Sequence, residues 1–197
     1  MPDSQTRLDK TLAAFDAANA EDPNWETDQG ESHPKEWLYG RRMTETLNVF
    51  CPNASEPLQL AARCQHIRRW ESPRSDYPDG RAGYKKWRSQ LALHHGRVAG
   101  QIMAEHGYDE ETIRRVQDML IKRNLKRDPE VQTLEDVICL VFLSHYLEDF
   151  AQKHNEEKLI DIIQKTWNKM SEKGHEAALK LPLSEPMGRL IHKALGA

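Results

Sequence analysis

Every long apolar segment of this chain repeats at three and four residues, and none alternates at two over the length of a strand. Leu8, Leu12, Phe15 and Asn19 mark one such face, as do Tyr39, Met43, Leu47 and Phe50, and then Leu91, His95, Val98 and Ile102. Ile113, Val116 and Leu120 follow, then Asp136, Leu140, Leu143 and Leu147, then Leu159, Ile162, Ile163 and Trp167. Helices with one apolar stripe are stable only when the stripe packs on other helices, so the expected fold is all-α, a helical bundle with no sheet beyond a small hairpin. A chain of 197 residues can bury one continuous core, and residues 1–197 are read as a single domain.

Caps and breakers divide this pattern into seven or eight helices. Ser4 caps the first, which Asp22-Pro23 ends; residues 24–33 lack periodicity and read as a loop, with Trp25 pinning it to the body. A second helix starts near Pro34 and breaks at Cys51-Pro52. Ser55 caps a third that carries through His66 to about Trp70. A fourth, about Ala82 to His106, stops at Gly107 in the position of a left-handed cap. Asp109 caps the fifth, Asp128-Pro129 opens the sixth, and Asn155 caps a seventh closed by Gly174, so that Lys169-Met170-Ser171-Glu172-Lys173 is a helix end. Ser184-Glu185-Pro186 opens a short last helix.

Composition narrows the function classes. No run approaches the roughly 18 apolar residues that a membrane span needs, and the polar N-terminus is no signal peptide. Cys51, Cys64 and Cys139 form no CxxC pair and read as reduced thiols, which points to the cytoplasm. The net charge of -3 argues against a general nucleic-acid binder. That charge is uneven, however: from Arg63 to Arg88 eight Arg and Lys face three Asp and Glu, a local excess of +5. A basic concentration in an acidic chain calls for an anionic partner.

The chemistry concentrates in the same stretch. Gln65, His66, Arg68, Arg69, Trp70 and Glu71 end a core helix, and a turn-rich loop with Arg74 and Tyr77 follows. Periodicity turns His66, His95 and Asp136 inward, with His94 the alternative to His95 should the helix be rotated slightly. An inward carboxylate among inward imidazoles is a candidate ligand set for a divalent metal ion. A core histidine with one hydrogen bond, or an Asp bonded to an arginine, accounts for the same residues without a metal. Arg69, three residues beyond His66, shares its side of a helix and is the residue expected to reach an anion; Arg68 is expected to hold the following loop or pair with an acid.

The run CQHIRRWE-x-PRSDYPDGRAGYKKWR, with GYDEETIRRV and LEDVICLVFLSHYLEDF after it, resembles the family known as domain of unknown function 4202, over essentially the whole chain. Some of that family carry the label glutamyl-tRNA synthetase. Lys169-Met170-Ser171-Glu172-Lys173 resembles a KMSKS loop, but there is no Rossmann strand pattern and no HIGH element, so the synthetase reading is rejected. A more distant resemblance is to HD-domain metal-dependent phosphohydrolases. Gln65-His66-Ile67 stands where their His-Asp-Ile segment would be, His95 where a later His would be, and Asp136 where the final Asp would be. Tyr39, ahead of Arg42-Met43, replaces the first His.

That resemblance implies a metal-dependent hydrolase of a nucleotide or other small phosphoester. His66, His95 and Asp136 would hold the metal, Arg68, Arg69 and Arg74 would neutralise phosphate, and Glu71 would act as general base or as a further ligand. Trp70, Tyr77 and Gln65 would contact the rest of the substrate. The alternative is a non-catalytic HD-like module that binds a nucleotide or RNA through Arg68 and Arg69.

Overall fold

The computed structural model describes the backbone of residues 4–196 and the side chains of residues 6–196. The fold is all-α apart from one two-stranded hairpin, and the chain divides into two compact units, residues 1–123 and 124–197. No helix among the described residues is long and apolar enough to cross a membrane.

The first unit contains α1 (Ser4–Asn19), β1 (Trp25–Asp28), β2 (Glu31–Pro34), α2 (Lys35–Phe50), α3 (Glu56–Arg63), α4 (Gly80–Glu105) and α5 (Glu110–Leu120). Short α3 is central: it packs on α1, α2 and α5, and α5 packs in turn on α4. Phe15, Met43, Leu47, Leu58, Leu60, Leu91 and Met103 are fully buried here, and truncating any of them to Ala should cost about 2–5 kcal/mol. Gly40 permits the α2–α3 approach, since a Cβ at that position would lie 2.9 Å from the Arg63 carbonyl oxygen. Ser55 and Asp109 cap α3 and α5 through Leu58 N–H and Thr112 N–H, as their sequence positions predict. Gly107, at φ +80°, ends the α4 turn in the left-handed region. The cap read at Ser4 lies outside the described side chains.

Two readings of this unit are corrected. Residues 25–34 are an antiparallel hairpin, not a loop, with Trp25 paired to Pro34 and Asp28 to Glu31. Arg42 of α2 holds it by ion pairs to Glu26 and, at 2.9 Å, Asp28, while Trp25 is 63% exposed and pins nothing. The third helix does not reach Trp70 but ends at Arg63. Residues 64–68 form successive turns, and Arg68, in the left-handed conformation at φ +48°, separates them from one turn of 3₁₀ helix over 69–71.

The second unit contains α6 (Pro129–Val141), a π-helical turn over Phe142–Tyr146, α7 (Leu147–Ala151), α8 (Glu156–Trp167), α9 (Glu172–Ala178) and α10 (Glu185–Leu195). Asp128 and Asn155 cap α6 and α8. In this unit α6 packs on α9 and α8 on α10. The helix predicted to close at Gly174 stops at Trp167. Ser171, inside the Lys169–Lys173 segment, instead starts α9, its Oγ accepting from Gly174 N–H at 3.1 Å. A Ser followed by Glu172 is a helix-start signal, and it outweighs the periodicity that suggested continuation.

Candidate functional site

The end of α1 and the start of α2 fix the centre of the first unit. Asp22 Oδ2 accepts from Glu36 N–H at 3.0 Å, satisfying one of the orphan amides at the start of α2, and Asp22 Oδ1 accepts from both nitrogens of Asn24. Asn19, buried at the end of α1, accepts from Arg68 N–H at 2.9 Å and donates to the Glu36 carbonyl at 3.4 Å. One asparagine thereby ties the turn after α3 to the first turn of α2. His66 stands on that turn rather than on a helix.

The His66 ring lies parallel to Tyr39, with centroids 3.8 Å apart and planes 11° apart. Its Nδ1 is 3.1 Å from Glu36 Oε2 and 3.3 Å from Arg69 Nη1. The His95 ring is 5.9 Å from that of His66. His95 Nδ1–H donates to the Ile67 carbonyl at 2.7 Å, so the neutral ring keeps its lone pair on Nε2, which is buried and has no hydrogen-bond partner. Gln65 Oε1 is a second buried acceptor without a partner.

Burial pushes the Glu36 carboxyl up to about 7, against the opposing pull of Arg69 and Lys35. Burial likewise pulls His66 well below the usual histidine range, reinforced by the positive charges of Arg69, Arg88, Lys122 and Lys35. His95 is lowered by burial and then by His66, which outweigh its bond to Ile67. The shifts agree with one another: below about pH 7 a protonated Glu36 donates to the bare Nδ1 of a neutral His66. Arg69 and Arg88 then act on a pair that carries little negative charge. Arg69 and Arg88 also lie over Trp87, their guanidinium carbons 5.5 and 5.8 Å from its ring centre.

The other residues singled out in the sequence are engaged structurally. Arg68 Nε donates to Glu71 Oε1 at 2.6 Å and Arg68 Nη1 to Glu21 Oε2 at 2.8 Å, so Arg68 pairs with acids and holds the loop. Glu71 is committed to Arg68 by the same contact. Arg74 donates to the carbonyls of Tyr77 and Pro78 and shapes its own loop, whereas Trp70 and Tyr77 are half-buried. His94, the alternative to His95, donates from Nε2 to the Arg68 carbonyl at 3.0 Å and accepts from Arg97 on Nδ1. It braces the turn, and His95 is the one that joins His66.

Asp136 belongs to the second unit and is 2% exposed. Its Oδ1 accepts from Ser171 N–H at 2.8 Å and Gln132 Nε2 at 3.1 Å, and its Oδ2 accepts from Ser171 Oγ at 2.6 Å. These three donors account for its burial without an ion. Among the described residues no group of three or more His, Cys, Asp or Glu side chains is placed to hold a metal ion.

Sequence reading missed Glu36, Asn19 and Asp22, which resemble an ordinary helix-start acid, a helix-end polar residue and a breaker. An apolar stripe ending in Asn19 was the one available signal. The family model described as "Domain of unknown function (DUF4202)" matches residues 9–191. No curated protein and no solved structure matches the chain.

Proposed function

The chain belongs to the family of that description, domain of unknown function DUF4202, and from that premise we propose that it binds a small phosphate-bearing ligand at His66 and Arg69 in its first unit. The observation that carries this reading is Arg69, whose Nη1 contacts His66 Nδ1 and whose positive charge, with that of half-buried Arg88, acts on the imidazole while burial pushes the neighbouring Glu36 carboxyl up to about 7. Half-buried guanidinium groups such as those of Arg69 and Arg88 gain from an anion brought between them. Phosphate suits Arg69 because a guanidinium fork meets two of its oxygens at once. The Arg69–His66 contact at 3.3 Å holds that fork beside the ring.

A panel of nucleotides and phosphoesters, titrated against Arg69→Lys and Arg68→Lys at matched stability, tests the reading. Replacing Arg69 keeps the charge and loses the fork, so affinity is expected to fall there by about 1–3 kcal/mol and to change little at Arg68. Equal small losses at both would reduce the site to a merely basic surface.

A metal-dependent phosphoester hydrolase is the second reading, favoured by one observation. His95 donates from Nδ1 to a backbone carbonyl and keeps a buried, unpartnered Nε2, the arrangement that metal-ligating imidazoles adopt. A bound ion would supply a water of lowered pKa and polarise a phosphoryl oxygen. Metal analysis of the purified protein separates the two: about one equivalent, lost in His95→Ala, supports the hydrolase, and no metal with phosphate binding retained supports the binding module.

A further inference from the structure

The cations around His66 say that the ligand is an anion; His95 says something more about it. His95 is 3% exposed, its Nδ1–H is spent on the Ile67 carbonyl, and its Nε2 lone pair meets no donor. A buried acceptor left without a partner is costly, and native structures rarely tolerate one unless water or a ligand supplies the proton. The His66 ring stands 5.9 Å from that of His95, with Arg69 at its Nδ1. An unmet acceptor close to a guanidinium describes a ligand with two kinds of oxygen, one negatively charged and one carrying hydrogen. A divalent metal would satisfy Nε2 but would add two positive charges where Arg69 and Arg88 already act.

We propose that His95 Nε2 accepts a hydrogen bond from an O–H group that the ligand carries next to its phosphate oxyanion, and that His95 is thereby a specificity-determining residue of the site. The inference rests on the anion-binding reading above and adds to it the chemical class of ligand. The O–H comes from one of two sources, the phosphorus itself, as in hydrogen phosphate, or a hydroxyl on an adjoining carbon, as in a glycerol phosphate. A fully deprotonated tetrahedral anion such as sulfate offers His95 only lone pairs. The site rejects it as other buried polar sites reject analogues that leave a hydrogen-bonding group unpaired.

The test compares inorganic phosphate, sulfate, methyl phosphate and glycerol phosphate by titration calorimetry on the whole chain carrying Glu36→Gln, which keeps that position uncharged, treated with chelator, at pH 8, where phosphomonoesters are dianions. With His95 in place phosphate or glycerol phosphate should bind at least about tenfold more tightly than sulfate and methyl phosphate. The ratio of phosphate to glycerol phosphate identifies the source of the O–H. In His95→Phe the preference should shrink to within about twofold while Arg69-dependent binding of all four remains. The ratio measured with His95 in place stands even if that variant does not fold. Equal affinity for all four anions, lost together in Arg69→Ala, overturns the role of His95 and keeps the anion site. Discrimination that needs a retained metal gives His95 to the metal and overturns the proposal as well. Failure of all four to bind overturns both readings at once.

Discussion

Glu36 in the first unit and Asp136 in the second are both buried carboxylates, 5% and 2% exposed, yet they are accommodated in opposite ways. Asp136 receives three hydrogen bonds from Ser171 and Gln132, so the carboxylate itself is fully engaged, and the one acceptor left over beside it is the neutral Gln132 Oε1. Glu36 has one side-chain contact of that kind, to His66, and next to His66 stand the unpartnered Nε2 of His95 and the Arg69 guanidinium. A buried carboxylate held by several donors serves the fold. One left with a single contact, beside an unmet imidazole and a guanidinium, is built for something that arrives from outside.

The largest effect that would sharpen this contrast is on the Asp136 side. Asp136→Ala leaves Ser171 N–H, Ser171 Oγ and Gln132 Nε2 without their acceptor, and should lower unfolding stability by about 3 kcal/mol in denaturant melts. Phosphate affinity of the folded protein should be unchanged. A stable Asp136→Ala protein that has lost phosphate binding would break the comparison.

Glu36 gives the next largest effect, and it depends on pH. Its folded pKa of about 7 stands above the ordinary 4.5, so the native state keeps a proton that the unfolded chain has released, and stability falls as pH rises between those values. The difference amounts to about 3 kcal/mol at and above neutrality. His66 and His95 have the opposite sign: held neutral in the fold, they withdraw stability as pH falls below the ordinary histidine value of about 6.5. In Glu36→Gln the loss between about pH 4.5 and 7 should vanish while the acid-side loss remains. Urea unfolding at a series of pH values checks this. Parallel curves for the two proteins would mean that Glu36 is not desolvated as described.

Arg69 comes third. Arg69→Ala removes one of several like charges around His66, so stability should move by no more than about 0.5 kcal/mol while phosphate binding is lost. The smallest effect is that of Arg68→Lys, expected to cost about 0.5 kcal/mol of stability by weakening a partly exposed pair with Glu21 and Glu71.

Helical period and caps made most of the fold legible, down to Ser55, Gly107, Asp109 and Asn155, because those signals act within a few residues of themselves. What escaped depended on distant groups. Arg68 adopts φ +48° with its N–H held by Asn19, 49 residues away, and no local pattern announces the end of α3 five residues earlier. The hairpin at 25–34 escaped because four-residue strands are too short for alternation to register, and Arg42 secures it from another element. At the site, His66, His95 and Arg69 were legible as inward or same-side residues and do lie together. Asp136 was legible as inward too, but periodicity reports burial and not what a side chain is buried against.

The most direct measurement is a crystal structure of the protein with arsenate, a heavy tetrahedral anion that keeps an O–H as hydrogen phosphate does, located by its anomalous signal. The account predicts a peak within hydrogen-bonding distance of Arg69 and beside His66, absent from Arg69→Ala crystals. Anomalous density confined to other surfaces, with the His66 centre filled only by water, would contradict it.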